Sequence, residues 1–192
     1  VTIYKDNILF PEELLILVDE EDNIVGYENR EKCHQGKGLL HRAFSIFIFN
    51  DQTQLLIQRR NAEKDLWPLH WSNSVCSHPR KKESYEEAAM RRLKEELGFE
   101  TPLHLLFKFQ YHARFKNIGS ENEMCAVYIG KTNGVVRVNH MEIVEWKYID
   151  LKKLNKNIAA QPHDYTPWFK MEWEQIQMHY HIDIENILRF NF

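Results

Sequence analysis

Hydrophobic positions along this chain change period several times, and each change marks a predicted element. Leu14 to Val18 and Ile24 to Tyr27 are short apolar runs flanking the turn-like Asp19–Asn23, a pattern that predicts a hairpin. From His41 to Phe49 the residues alternate, with Ala43, Ser45 and Phe47 on one face and Phe44, Ile46 and Ile48 on the other. Asn50-Asp51-Gln52 breaks that strand, and a second runs from Gln54 to Arg59. At Ser84 the period lengthens to that of a helix: Tyr85, Ala89, Leu93 and Leu97, with Ala88 beside them, form one apolar stripe. Ser84 stands three residues before Glu87, the spacing of a capping box. Further strands are predicted around Leu105–Arg114, Glu123–Ile129, Val135–Val138 and Trp146–Ile149, then a helix over Trp168 to His179. The last segment, His179 to Phe192, interleaves Ile184, Ile187 and Leu188 with polar residues, as a capping helix or a dimer contact would. The order predicts an α/β domain with mixed sheets.

Composition narrows the classes. A chain of 192 residues without linker, repeat or low-complexity tract is expected to form one domain spanning 1–192, with a core from about 15 to 170 and a helical extension after it. Its net charge of −3 offers no basic footprint, which argues against nucleic acid as a partner. No apolar run approaches the roughly 18 residues that span a bilayer, and no basic-then-apolar leader is visible at the N-terminus. The three cysteines, Cys33, Cys76 and Cys125, are too sparse for a disulfide framework and favour a reducing, cytoplasmic setting.

Candidate chemistry gathers in two neighbouring stretches. Ser72-Asn73-Ser74-Val75-Cys76-Ser77-His78-Pro79 places a thiol two residues from an imidazole, and an extended backbone projects both side chains the same way. The acidic helix that follows resembles the Nudix box, G-x5-E-x7-R-E-U-x-E-E-x-G-U with U apolar. Glu83, Arg91, Leu93, Glu95, Glu96, Gly98 and Phe99 match it. In that pattern carboxylates at one helix end hold Mg²⁺, a hard cation that bridges diphosphate oxygens. Two positions depart from it: Ser77 stands in place of the opening Gly, and Arg92 in place of a Glu. A cation at the second position weakens a multi-metal hydrolytic centre.

Three motifs outside the box are more specific. Leu40-His41-Arg42-Ala43-Phe44-Ser45, Trp71 to Pro79 and Glu121-Asn122-Glu123-Met124-Cys125 resemble, in order and spacing, the type 1 isopentenyl diphosphate isomerase family. The resemblance covers about Leu15 to Trp168. It implies a Nudix fold, mixed β-sheets packed with a central Nudix helix and additional C-terminal helices. It also implies movement of a double bond between isopentenyl and dimethylallyl diphosphate through a tertiary carbocation. That reaction needs an acid and a base, exclusion of water, and π faces for the cation. By resemblance Cys76 is the catalytic thiol at the C2 side of the substrate. Glu123 exchanges the proton at the other side, aided by a hydroxyl that would be Tyr111, with Tyr128 left as an alternative phenol. Trp168 is the aromatic residue facing the cationic carbon. Cys125 is expected to pack in the core, and Cys33 has no motif support.

The resemblance implies a metal centre of His34, His41, His78, Glu121 and Glu123, a donor set suited to zinc or manganese, with Mg²⁺ an alternative. It implies a second ion, Mg²⁺, that bridges the diphosphate to Glu96. Arg30, Lys37, Arg60, Lys64, Arg91 and Arg92 fall at or near its diphosphate-binding positions. The only expected partner is the small prenyl diphosphate, with a monomer preferred. Two rivals remain: a Nudix diphosphohydrolase, against which Arg92 counts, and a non-catalytic Nudix ligand-binding domain, which would not need Cys76, Glu123 and Trp168 together.

Overall fold

A computed structural model describes residues 14–189. In chain order the strands and helices are β1 (Leu15–Val18), β2 (Ile24–Glu28), α1 (Arg30–His34), β3 (His41–Phe49), β4 (Leu55–Arg60), β5 (Trp71–Ser72) and β6 (Val75–Ser77). The Nudix-like helix α2 (Tyr85–Leu97) follows, then β7 (Leu103–Phe115), β8 (Gly119–Lys131) and β9 (Ile143–Ile149). The remainder is helical: α3 (Leu151–Ala160), one 3-10 turn, α4 (Pro167–His179) and α5 (His181–Arg189). The architecture is α+β with a mixed sheet. Residues 190–192 of the predicted terminal segment, and the side chains of Ile187 and Leu188, lie outside the described residues.

Strand β3 organises the sheet. It runs parallel to β8 from His41↔Glu123 to Phe49↔Lys131 and antiparallel to β6 at Phe44–Ile46. Its predicted alternation separates two cores. Phe44, Ile46 and Ile48 pack with Tyr85, Ala88, Ala89, Leu93 and Leu97 of α2. Ala43, Phe47 and Phe49 pack with Trp168, Phe169, Trp173 and Ile176 of α4. A strand apolar on both faces is the expected centre of such a three-layer arrangement.

Local chemistry sets the limits of α2. Ser84 Oγ accepts from Glu87 N at 3.2 Å and the Glu87 carboxylate accepts from Ser84 N at 2.8 Å, completing the capping box. Gly98 ends the helix at φ 77°, where a Cβ would meet Arg137 backbone at 2.9 Å. That contact explains one correction. Val135–Val138 forms no strand, because Arg137 N and Asn139 N donate to the Leu97 and Glu96 carbonyls at 2.9 and 2.8 Å. Its backbone serves the open C-terminus of α2 instead of a ladder.

Candidate active site

The sheet register brings one set of polar side chains into a row. Tyr111 of β7, Glu123 of β8 and His41 of β3 are successive cross-strand neighbours. Four residues further along β3, Ser45 is paired with Cys76 of β6, so the same face of the sheet carries both groups. Gly119, at the start of β8, makes a close approach possible: a Cβ there would lie 2.5 Å from the His34 carbonyl oxygen. The end of α1 therefore rests directly on β8, next to Glu121.

His34, His41, His78, Glu121 and Glu123 consequently each offer a ligand atom within 4.8 Å of all the others. Two imidazoles are oriented by their far nitrogens. His34 Nδ1 is 2.7 Å from the Arg30 carbonyl oxygen and His41 Nδ1 is 2.7 Å from that of Leu39, so both direct Nε2 inward. Both Nε2 atoms, and Glu121 Oε2, are buried without a hydrogen-bond partner. His34 Nε2 and Glu121 Oε2 approach to 2.8 Å without hydrogen-bond geometry. Two electron-rich atoms so placed need a cation or a proton between them. His78 Nε2 lies 2.8 Å from Glu123 Oε1. Burial, followed by the neighbouring His41 and His34, pushes the His78 imidazole well below its ordinary value. Imidazoles with carboxylates are what a divalent ion takes as ligands, and this cluster can hold one.

Cys76, Tyr111, Glu123 and Trp168 line one pocket of about 310 Å³. Burial pushes the Cys76 thiol up to about 11, against the pull of Arg60, whose Nη1 is 3.7 Å from Sγ. The Tyr111 hydroxyl donates to Glu123 Oε2. Burial works against the charge of Glu123, but His41 and then Tyr111 hold its carboxyl below the ordinary value. Trp168 is fixed in the wall by its Nε1, which donates to Ser72 Oγ at 3.1 Å and Asn73 Oδ1 at 3.3 Å. Tyr128 packs in the core under α2, away from this group. Cys125 is buried in the opposite core.

The expected diphosphate residues meet different fates. Arg30, Lys64, Arg91 and Arg92 line the pocket. Lys37 does not: its side chain is exposed and the lining excludes it, while its carbonyl oxygen accepts from His112 Nε2 at 2.8 Å. Arg60 lines the pocket but is largely enclosed, donating from Nε to Trp67 O at 3.0 Å and from Nη2 to Leu66 O at 2.9 Å. Its remaining nitrogen faces Cys76, so it braces the 66–67 segment and the thiol. Glu96 is not near the His/Glu cluster's ligand set. Its Oε1 accepts from Arg92 Nε at 3.0 Å and Nη2 at 2.6 Å. Among the described residues no second group of three or more such ligands forms around it, and the Arg92 bonds fall on Oε1 alone.

Several pocket residues had no motif to announce them. Glu142 pairs with Lys64 and with Arg92 at 2.9 Å, and these cations outweigh burial to bring its carboxyl down to about 2. Arg80 also lines the pocket. Isolated charged residues in loops carry no spacing signal, so sequence alone does not distinguish them.

Comparison with known proteins identifies the family. A model of the NUDIX domain matches residues 39–169. The Isopentenyl-diphosphate Delta-isomerase 1 of Photorhabdus laumondii is 43% identical over 167 residues, covering 85% of this chain and 94% of its own. The chain belongs to the isopentenyl-diphosphate Delta-isomerase family of NUDIX-domain proteins. A family member from Aromatoleum aromaticum, Isopentenyl-diphosphate Delta-isomerase 2, is 41% identical over 157 residues, 82% of each chain. Among solved structures, DR0079 from Deinococcus radiodurans is similar with a TM-score of 0.63 at 28% identity, covering 77% of this chain and 90% of that one. The MutT protein from Methanosarcina mazei has a TM-score of 0.54 at 16% identity, over 78% and 94%, and supports the fold alone.

Proposed function

We propose that this chain interconverts isopentenyl diphosphate and dimethylallyl diphosphate by proton transfer within a single catalytic domain. The observation that carries the mechanism is the meeting of Cys76 with the Tyr111–Glu123 pair in one pocket walled by Trp168. Protonation of the terminal alkene carbon by Glu123, with Tyr111 as its hydrogen-bonded partner, produces a tertiary cation. Loss of a proton from C2 to the Cys76 sulfur then completes the allylic isomer. The reverse direction begins with Cys76 as thiol and Glu123 as carboxylate. A raised thiol and a lowered carboxyl favour that distribution in the free pocket. Forward and reverse turnover thus differ in which of the two groups starts with one shared proton. The Trp168 ring already has the Arg60 guanidinium 5.2 Å from its centroid, so its π face is suited to positive charge.

His34, His41, His78, Glu121 and Glu123 would hold one divalent ion, zinc or manganese by donor type, with Mg²⁺ as an alternative. Bound there, it would orient the Glu123 carboxylate and tune its proton affinity. Arg30, Lys64, Arg91 and Arg92 would take the diphosphate at the pocket mouth. Glu96, whose Oε1 alone is held by Arg92, would help hold a diphosphate-bound Mg²⁺ through its second carboxylate oxygen. Three unpaired cysteines support a cytoplasmic setting. Among the described residues no helix is long and apolar enough to cross a membrane.

Incubating isopentenyl diphosphate with the protein and divalent metal in deuterated water tests the reading. Dimethylallyl diphosphate carrying deuterium is expected. Release of phosphate without isomer would instead establish a diphosphohydrolase, and neither product would leave a binding domain.

A further inference from the structure

Glu172 of α4 has no place in the chemistry above, and its setting is unusual. It is 0% exposed, and its Oε2 is buried without a hydrogen-bond partner. Its Oε1 accepts from Cys125 Sγ at 3.4 Å, and the Ser45 hydroxyl also hydrogen-bonds the carboxyl. A buried carboxyl with one oxygen unpartnered is costly, and a core of Phe169, Trp173 and Ile176 could have carried an apolar residue there.

Its neighbours give the position meaning. Ser45 is the cross-strand partner of Cys76 and lines the pocket. Cys125 follows Glu123 by two residues on β8 and shares its face. Trp168 precedes Glu172 by four residues, one helical turn along the same face of α4. The carboxyl therefore stands where the strand beside Cys76, the strand that bears Glu123 and the helix that bears Trp168 converge.

We propose that Glu172 is a positioning residue for the isomerisation: by joining Ser45 and Cys125 to α4, it sets the Trp168 ring against the Cys76 and Glu123 groups. This rests on the isomerase reading and extends it to a residue outside the pocket lining. The role requires an uncharged acceptor for the Cys125 and Ser45 hydrogens, which the neutral acid supplies. Burial raises the Glu172 carboxyl to about 8, against the hydrogen bonds from Ser45 and Cys125, and the negative Glu123 raises it further. The titratable and charged groups that face it are Cys125 and Glu123 on β8 and, through space, Cys76 on β6. Ionisation above about pH 8 would add a buried negative charge that repels Glu123.

Wild-type, Glu172→Leu and Glu172→Gln proteins are compared for kcat, KM and pH profile, with thermal unfolding to verify folding. Misplacing a reacting group by about an ångström costs up to roughly 100-fold in rate, so Glu172→Leu should lose about 10- to 100-fold in kcat with KM little changed. Glu172→Gln, which keeps a donor and an acceptor, should recover most of that loss. It should also lack the fall in kcat that wild type shows above about pH 8. A Leu variant with wild-type kcat, a Gln variant as impaired as Leu, or an alkaline fall that persists in Gln would each overturn the proposal. Failure of the wild-type protein to isomerise at all would reject the isomerase reading, a separate result.

Discussion

The His/Glu cluster and helix α2 use the same residue types to opposite ends. In the cluster, Glu121 and three imidazoles converge, and the inward atoms of Glu121, His34 and His41 find no hydrogen-bond partner. Along α2, the carboxylates are matched with guanidinium groups: Glu83 with Arg91 at 2.6 Å, Glu95 with Arg91 and Arg92 at 3.1 and 3.0 Å, and Glu96 with Arg92. The difference teaches that a carboxylate-rich helix is not by itself a metal centre. What decides is whether a cation of the protein already holds the oxygens. Arg92, standing where the Nudix pattern has a Glu, provides that cation, while the unpaired atoms of the cluster come together from α1, β3 and β8.

The comparison can be broken at several points. Cys76→Ala should abolish most turnover, by about 10²- to 10⁴-fold as expected for loss of a general acid–base group, while leaving metal content and fold intact. Near-normal kcat in that variant would remove the thiol from the mechanism. Arg92→Glu restores the Nudix residue but puts a third carboxylate beside Glu96 and Glu142. We expect a loss of stability on the order of 3 kcal/mol in denaturant unfolding, and no gained phosphate release. A stable variant that hydrolyses diphosphates would show the helix to be a latent metal centre.

Glu172 adds a third fate, a carboxyl neither paired with a cation nor in the ligand cluster. Its native value of about 8 lies above the ordinary 4.5, so the folded state binds the extra proton between those values. Stability should therefore fall as pH rises from about 4.5 to about 8, by an amount on the order of a few kcal/mol. Glu172→Gln should flatten that slope, and unfolding curves of both proteins across the window measure it. An unchanged slope would mean that Glu172 is ionised in the fold.

Gly119→Ala acts on the other side of the comparison. Because a Cβ meets the His34 carbonyl at 2.5 Å, α1 must move, and metal affinity should fall roughly 10- to 100-fold, as for other residues that orient ligands. Calorimetric titration with zinc and manganese reads the change; unaltered affinity would mean that His34 contributes little. Smallest of all, Ser84→Ala removes the capping hydroxyl of α2 and should cost about 1 kcal/mol without altering metal affinity.

Much of this was legible before any coordinates. The stripe, capping box and terminal Gly98 of α2 are local signals, and the structure reproduces each. The alternation of His41 to Phe49 likewise divides the two cores. Short α1 was missed because five residues carry too little periodicity, although it delivers His34. The strand expected at Val135–Val138 failed because its backbone partners lie forty residues away, at the end of α2.

The sequence by itself determined the family, the capped helix and the identity of the groups able to move protons or bind metal. Each depends on residue type and near-neighbour spacing. Tertiary structure decided which of those groups are available: Arg60 is turned to brace Leu66 and Trp67, Lys37 lies outside the pocket, and Glu96 is held by Arg92. Availability is set by pairing and desolvation between distant segments, and those energies exist only once the chain has brought the segments together.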